Sequence, residues 1–460
     1  MLRLNRLTPV AVALTAFFTL VSAAKAVEIQ QVTSPGGIKA LLVEDYTVPL
    51  VALSFAFKGG SSQDAPGKEG TAKLLTTMLD EGAGDIDSEA FLERLDDLGV
   101  KYRFRASADD FTGSVLTLRS TVDETFDLIG TALALPRFDP EPLSRMKTAA
   151  IVALKRKEAE PGTLADKAFR KAIFGDHPYG RPGDGTLETV PAITREDVAD
   201  YHRRTFAQDN LLVGVVGAIS AEELGKQLDL LFGDLPVKAQ LRDVPEATIE
   251  AGKRIHVDLD VPQTSISFAL PGIKRDHPDF FAAYLMNYVL GGGSFNSRLY
   301  DEVREKRGLA YSVYSYLATR DRAGFFGAGS ATRADRADQT VEIIRREIER
   351  MAKEGPTAAE LEAAKKYISG TYAISNLDTS QKIASVLVAI QDADLGLDYI
   401  DRRKDLIEAV TVDDVKRMAR ELLSGDPTII TVGRPLSGEA KAPAGGDVKV
   451  PAVEPAKTDG

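Results

Sequence analysis

The sequence predicts an α+β protein with two homologous domains, and the main reason is that two separate landmarks each occur twice. VALSFAFKGG at 51–60 and TSISFALPGI at 264–273 share Ser-Phe-Ala and the alternating, aromatic-rich pattern of a strand. AITREDVADYHRRTF at 192–206 and AVTVDDVKRMARELL at 409–423 each place a threonine three residues before an acidic residue, a helix-capping pattern. The offsets are 213 and 217 residues, so an internal duplication is expected.

Within each half, the order of patterns predicts a mostly antiparallel sheet packed with helices. A strand leads to a helix that ends near 74–83 or 285–294, and further strands and long polar helices follow. The clearest of these helices is DQTVEIIRREIERMAKEG at 338–355, whose apolar residues recur at helical spacing. A regular βαβ cadence is missing, which favours an α+β layer in each domain over a doubly wound sheet.

The N-terminus predicts export. Arg3 and Arg6 precede an apolar run, and Ala24-Lys25-Ala26 has the small-x-small form that signal peptidase accepts. We interpret residues 1–26 as a signal peptide cleaved near Ala26, which makes the mature chain periplasmic or otherwise exported. The alternative is an uncleaved anchor, but the run is shorter than the roughly 20 apolar residues of a spanning helix, so no stable membrane insertion is expected.

Composition narrows the function classes further. The chain has no cysteine, which excludes disulfides and thiolate metal sites. Its formal charge is −11, and loss of the three positive charges of the signal leaves −14. An acidic surface repels phosphates, so nucleic-acid binding is not expected, whereas basic peptides would be attracted.

Breaks in composition predict the domain boundaries. The first domain should occupy residues 27–235, a proline-containing linker 236–252, and the second domain 253–433. Residues 434–460 are rich in Pro, Ala, Gly and Lys, which cannot bury a core, so a disordered tail is predicted.

One long motif in the second half identifies a family resemblance. GGGSFNSRLYDEVREKRGLAYSVYSY at 291–316 closely resembles the second-domain signature of insulinase/pitrilysin zinc metallopeptidases, especially their mitochondrial-processing-peptidase-like branch. The resemblance covers nearly all of the mature chain and implies two domains that form a half-clamshell. Three consecutive glycines, Gly291, Gly292 and Gly293, are expected where backbone turns sharply or approaches something closely, either as a substrate-facing loop or as a mobile connection.

The first half lacks the metal site that the family resemblance would imply. Catalytic members carry H-x-x-E-H on one helix, where two histidines hold zinc and the glutamate polarises a water. The matching positions in GSSQDAPGKEGTAKLLTTML are Lys73, Thr76 and Thr77, which are an ammonium without a lone pair and two poor neutral ligands. The further glutamate ligand should fall near 151–155, where IVALK contains no acid.

No other residues in the sequence offer a replacement site. The histidines are scattered without a second histidine at ligand spacing, and we interpret all of them as structural: His177, His202, His256 and His277. A nucleophile elbow is also absent from the sequence. We therefore expect this chain to bind no metal or other cofactor and to have no catalytic residues of its own.

The resemblance implies a division of labour between two subunits. In that branch a catalytic and a non-catalytic subunit pair, so we expect a heterodimer with an H-x-x-E-H paralogue that holds the zinc, and peptide substrates. Arg304 and Tyr311 occupy the Arg-x6-Tyr positions that the family uses to hold substrate across the interface, and Arg307 is the second choice because it lies too close to Tyr311. The alternatives are a scaffolding protein without any part in proteolysis, or a homodimeric peptide-binding pseudoenzyme.

Overall fold

The computed structural model describes residues 28–158 and 160–434. The predicted signal peptide lies outside the described residues, as does the predicted tail except for Arg434. Among the helices of the two described ranges, none combines the length and the apolar character needed to cross a bilayer.

The first half is built on a six-stranded sheet in the order β1-β2-β6-β3-β5-β4. Only the β2–β6 pair is parallel. Its strands are β1 Gln30–Thr33, β2 Lys39–Glu44, β3 Leu50–Lys58, β4 Lys101–Ala106, β5 Asp110–Leu118 and β6 Leu211–Gly217. Its helices are α1 Thr71–Leu75, α2 Ser88–Asp97, α3 Val122–Ala134, α4 Pro140–Glu158, α5 Pro161–Phe174, α6 Thr189–Ala192, α7 Arg195–Thr205 and α8 Ala221–Phe232.

The second half repeats this plan on a five-stranded sheet in the order β7-β11-β8-β10-β9. Again only one pair, β7–β11, is parallel. Its strands are β7 Arg254–Asp258, β8 Gln263–Pro271, β9 Ala310–Arg320, β10 Ala323–Arg333 and β11 Thr428–Gly433. Its helices are α9 Phe280–Asn287, α10 Ala337–Glu354, α11 Ala358–Asn376, α12 Ser380–Asp392, α13 Tyr399–Glu408 and α14 Val412–Leu423.

The two sheets confirm the predicted fold class and its duplication. Strands β3 and β8 are both nine residues long and begin 213 positions apart, as the Ser-Phe-Ala repeat predicts. The side chains of Thr194 and Thr411 each accept a hydrogen bond from the backbone N–H of the aspartate three residues later, and the carboxylate of that aspartate accepts one from the threonine N–H. These reciprocal capping bonds satisfy N–H groups that α7 and α14 would otherwise leave unpaired.

Each sheet packs its own helices on one face. In the first half, the alternate residues Val51, Leu53, Phe55 and Phe57 of β3 are buried against helices that include α2, α3, α7 and α8. We call the opposite side of each sheet its outer face. Because successive side chains of a strand point to opposite faces, the outer face needs a cover of its own.

That cover is exchanged between the halves. Helix α12 of the second half lies on the outer face of β2, β3 and β6, where Leu387 and Ile390 pack against Val43 and Val216. Helix α5 of the first half covers β8 and β11 in the corresponding way. The two helices begin 219 residues apart, so the exchange follows the duplication.

The segment predicted as a linker, 236–252, contains no helix or strand and runs along both halves. The N–H of Arg242 donates to Oε1 of Gln63 in the first half, and the N–H of Ala247 donates to the carbonyl of Arg322 in the second. Val244 and Ile249 are buried. The connection is therefore part of the packed interface between the halves.

The docking of α12 predicts a specific sensitivity at Gly214. A Cβ atom at this position of β6 would lie 2.4 Å from the carbonyl oxygen of Ala384 in α12. Backbone of a packed helix cannot yield easily, so Gly214→Ala should lower the free energy of unfolding by about 1–3 kcal/mol in chemical denaturation. Gly370→Ala in α11 is the control, because its Cβ would meet open space and should be neutral or stabilising. An unchanged midpoint for Gly214→Ala would contradict the docking of α12 on this sheet.

Candidate functional site

Arg304 and Tyr311 lie together at the start of β9, the edge strand of the second sheet. Arg304 belongs to a π-helical turn at Tyr300–Glu305, and Gly308 reverses the chain with a φ of 58° before β9 begins. Nη1 of Arg304 donates to the carbonyl oxygen of Tyr311 at 3.1 Å. The guanidinium carbon also lies 4.5 Å from the ring centre of Tyr311 and 4.9 Å from that of Tyr300. Arg304 is thus held between two aromatic rings by cation–π attraction.

The phenol of Tyr311 faces solvent. Its side chain is 82% exposed, so Tyr311 does not face the core. Within residues 28–158 and 160–434, its hydroxyl has no hydrogen-bond partner. Tyr311 therefore offers a hydrogen-bond donor that the fold itself does not use.

Arg307 is engaged elsewhere. Its Nη1 donates to the carbonyl oxygen and to Oε2 of Glu302, both at 2.7 Å. These bonds join the residue that follows the π-helical turn by two positions to Glu302 within the turn. Arg307 is therefore occupied in holding this turn together, whereas Arg304 lies against Tyr311.

A second π-helical turn, Tyr288–Gly292, continues α9 and contains Gly291 and Gly292, and Gly293 follows directly after it. Gly291 is buried against β9, where a Cβ would lie 2.5 Å from Oγ of Ser315, and a Cβ on Gly293 would lie 2.8 Å from the carbonyl oxygen of Tyr288. A Cβ on the exposed Gly292 would lie 2.6 Å from the side-chain nitrogen of Asn287. None of the three has a positive φ, so close approach explains these glycines and a left-handed turn does not.

The residues at the positions of the H-x-x-E-H motif do not fit a zinc ion. Lys73 is exposed, and the hydroxyls of Thr76 and Thr77 donate to the carbonyls of Lys73 and Leu74 at 2.7 and 2.8 Å. Both threonines thus bond to the backbone where α1 ends. An ammonium and two hydroxyls engaged in this way offer none of the lone pairs that zinc takes from histidine.

Helix α4, which packs beside α1, supplies no replacement ligand. Ile151 and Leu154 turn their side chains toward the core, and Val152 is exposed to solvent. The buried acid nearest in sequence to the threonines is Glu81, whose carboxylate accepts two hydrogen bonds from Arg145 of α4 and one from Ser88. Its charge is therefore balanced by an arginine.

The histidines lie in four separate places. His177 bonds the carbonyl of Pro245, His256 bonds Thr431, and His277 accepts the N–H of Asp279. His202 is buried and bonds the carbonyl of Leu133 at 2.7 Å, and burial lowers the pKa of its imidazole to about 4. No group of three His, Cys, Asp or Glu side chains suited to a metal ion occurs in the described part of the chain.

Two family models match most of the folded chain. The insulinase model of peptidase family M16 matches residues 39–186, and the model of the peptidase M16 inactive domain matches residues 192–368. The chain belongs to the insulinase family, peptidase family M16.

Similar structures agree with this assignment. A crystal structure of a peptidase M16 inactive domain from Pseudomonas fluorescens is 29% identical, with a TM-score of 0.84 over 89% of this chain and 98% of that one. A protease from Helicobacter pylori has the same fold, with 18% identity and a TM-score of 0.80 over 88% of this chain and 100% of its own.

Curated relatives carry two kinds of name. An uncharacterized zinc protease of Streptomyces coelicolor is 26% identical over 88% of this chain and 89% of its own length. A non-peptidase homologue of Helicobacter pylori, YmxG, is 26% identical over 77% of this chain and 82% of its own. Together with the inactive-domain model, the second name places this chain among the inactive members of the family, in agreement with its altered metal-site residues.

Sequence reasoning missed one group of polar residues. Lys101, Arg103 and Arg105 lie on the outer face of β4, beside a cavity next to α12. The alternation of basic and other residues in KYRFRA at 101–106 is visible in the sequence and predicts one charged strand face. What the sequence could not reveal is that a helix from the second half lies across from that face.

The geometry at α1 predicts that this chain binds no zinc. Elemental analysis of protein purified without added metal should find far less than one zinc per chain, because no two residues at the motif positions can act as ligands. A catalytic family member with H-x-x-E-H, prepared in the same way, is the positive control. Stoichiometric zinc, together with chelator-sensitive cleavage by this chain alone, would contradict the prediction.

Proposed function

We propose that this chain is the non-catalytic subunit of a two-subunit zinc metallopeptidase, in which it binds peptide substrate and completes the active site of its partner. The observation that carries the proposal is the pair formed by Arg304 and Tyr311. An exposed phenol with a free hydroxyl is held on an edge strand by a guanidinium that stacks on it. Large exposed aromatics with unused polar groups favour recognition of a partner or a ligand.

The chemistry of the two side chains suits peptide hydrolysis in trans. A guanidinium presents several N–H donors in a fixed plane, which suits the carbonyl oxygens of a peptide. A phenol can donate a hydrogen bond to the oxyanion that forms when a peptide carbonyl is attacked. Neither group cleaves a peptide unaided, so the zinc and its ligands belong to the partner, an H-x-x-E-H paralogue.

The loss of the metal site in this chain agrees with such a division of labour. A subunit that contributes only its second-domain residues has no use for zinc ligands of its own. Relatives named as zinc proteases and as a non-peptidase homologue show that both kinds of member occur among similar proteins. The predicted signal peptide would place the pair in the periplasm or another exported compartment.

The first prediction concerns assembly. When the mature chain is co-expressed with an H-x-x-E-H paralogue from the same genome, the two should elute as one species in size-exclusion chromatography at micromolar concentration. Peptidase activity should rise on mixing and reach its maximum at a one-to-one ratio. Separate elution and no gain in activity would favour scaffolding or homodimeric peptide binding.

The second prediction concerns the two site residues. Tyr311→Phe should lower the kcat of the assembled pair roughly 100-fold, because loss of one oxyanion donor typically has an effect of this size. Arg304→Ala should chiefly raise KM. Steady-state kinetics on a labelled peptide measure both effects, and co-elution shows whether assembly is intact.

Matched controls lie close by in the chain. Tyr314→Phe alters another half-exposed tyrosine of β9, and Arg333→Ala removes an exposed arginine at the end of β10 that bonds Asp335. Both should leave kcat and KM near the wild-type values. Unchanged kinetics for Tyr311→Phe and Arg304→Ala within an intact pair would remove the support for completion of the active site in trans.

A further inference from the structure

A cavity of about 630 Å³ lies between the first sheet and α12 of the second half. Its floor is the outer face of β3 and β5, where Ser54, Thr112 and Ser114 present hydroxyl groups. Helix α12 forms one wall with Gln381 and Ser385. The cavity exists because α12 covers β2, β3 and β6 but leaves the outer face of β5 and β4 open.

The opposite wall is a row of positive charges on the edge strand β4. Lys101, Arg103 and Arg105 occupy alternate positions and therefore share one face, while Phe104 between them is buried in the core. The strand register places Arg103 beside Ser114 and Arg105 beside Thr112. The three cations thus border the hydroxyl floor along its length.

These cations have no carboxylate partner within residues 28–158 and 160–434. The carboxylates of Asp110 and Asp392 also line the cavity, but each forms an ion pair with Nζ of Lys58, at 2.9 and 2.5 Å respectively. Lys58 further contacts Asp321 at 2.7 Å. The carboxylates that line the cavity are therefore partly neutralised by Lys58, whereas the row of three cations on β4 has no such partner among the described residues.

The second half provides an internal comparison, because aromatic side chains fill the corresponding place on the outer face of its sheet. By strand register, Arg103 beside Ser114 corresponds to Tyr314 beside Gly329, and Arg105 beside Thr112 corresponds to Tyr316 beside Gly327. A Cβ on Gly327 would lie 2.4 Å from the ring of Tyr316, so the ring rests directly on the strand. One copy of the duplicated sheet thus packs aromatic rings where the other keeps basic side chains above an open polar floor.

We propose that this cavity binds an acidic peptide segment in extended conformation. Alternate residues of a strand are spaced about 7 Å apart, so the row of cations matches carboxylates at alternate positions of an extended chain. A compact anion such as phosphate needs convergent donors, whereas these three are spread along a line. The hydroxyls of the floor can bond the peptide backbone that lies between the charged side chains.

A nucleic acid fits the same surface less well. Sites for single strands combine a basic groove with aromatic rings on which bases stack. The aromatic residue at this cavity, Tyr102, belongs to the opposite face of β4, packs beside the core and donates its hydroxyl to Asp80 at 2.9 Å. The hydroxyl-lined floor thus offers no ring for a base to stack on.

Direct binding to the mature chain tests the proposal without any catalytic partner. The probe is a fluorescein-labelled peptide of alternating Glu and Thr, titrated by fluorescence anisotropy at low and at physiological salt. Saturable binding that weakens with salt is expected, because the Debye length shortens to about 8 Å at 0.15 M and the attraction between exposed charges is then increasingly screened. The same peptide with Gln in place of Glu should bind far more weakly.

Variants locate the site. Arg103→Ala should raise Kd roughly threefold to fivefold, as expected for loss of one partly screened ion pair. The triple variant Lys101→Ala/Arg103→Ala/Arg105→Ala should abolish measurable binding. Arg94→Ala removes an exposed arginine of α2 that does not line the cavity and should bind as wild type.

A variant that fills the cavity tests whether binding needs the space of the cavity and not only the charges along its edge. Ser385→Trp on the wall formed by α12 keeps all three cations but occupies the space, and it should weaken binding at least tenfold, whereas Ser385→Ala should not. Equal binding by the triple variant, or no saturable binding by wild type at low salt, would overturn the proposal. Displacement of the peptide by an equal concentration of oligothymidylate would also overturn it, since the site would then select polyanions in general.

Discussion

The rest of the structure depends on the exchange of helices between the two halves. Part of the outer face of each sheet is apolar and is left bare by its own half, and the helix that covers this part comes from the other half: α12 on β2, β3 and β6, and α5 on β8 and β11. Burial of these two faces joins the halves through ordinary hydrophobic packing. The residues at the motif positions, Lys73, Thr76 and Thr77, take no part in these two contacts, so their identity can change without disturbing the packing between the halves.

The same exchange determines where the halves differ. In the first half the covering helix is narrower than the sheet and leaves most of the outer face of β5 and β4 open, whereas in the second half α5 also contacts Phe325 of β10. In the second half the outer face of β9 carries Tyr314 and Tyr316 packed on glycines, and the same edge strand presents Tyr311 to solvent. In the first half the outer face of β4 carries a row of basic residues beside a cavity. The corresponding edge strands of the two sheets, β4 and β9, therefore carry side chains of different chemistry.

Much of the fold could be predicted from the sequence, because local patterns repeat. The Ser-Phe-Ala strands and the threonine caps give the duplication and its period, and both are local signals. The exchange of helices could not be predicted, since α12 and the sheet that it covers are far apart along the chain. Nor did the glycine run reveal its cause, because Gly291 is required by contact with Ser315, a residue of another element. The placement of Arg304 against Tyr311 likewise depends on a turn whose geometry the sequence does not show.

The most direct test of the account is a structure of this chain bound to the proposed partner, an H-x-x-E-H paralogue, and a peptide. The general base of the paralogue would be changed from Glu to Gln so that the peptide stays intact. The account predicts the hydroxyl of Tyr311 at hydrogen-bond distance, about 2.5–3.0 Å, from the carbonyl oxygen of the bond to be cleaved, with Arg304 beside the same peptide. A complex in which both side chains face solvent, or lie in a contact remote from the peptide, would contradict it.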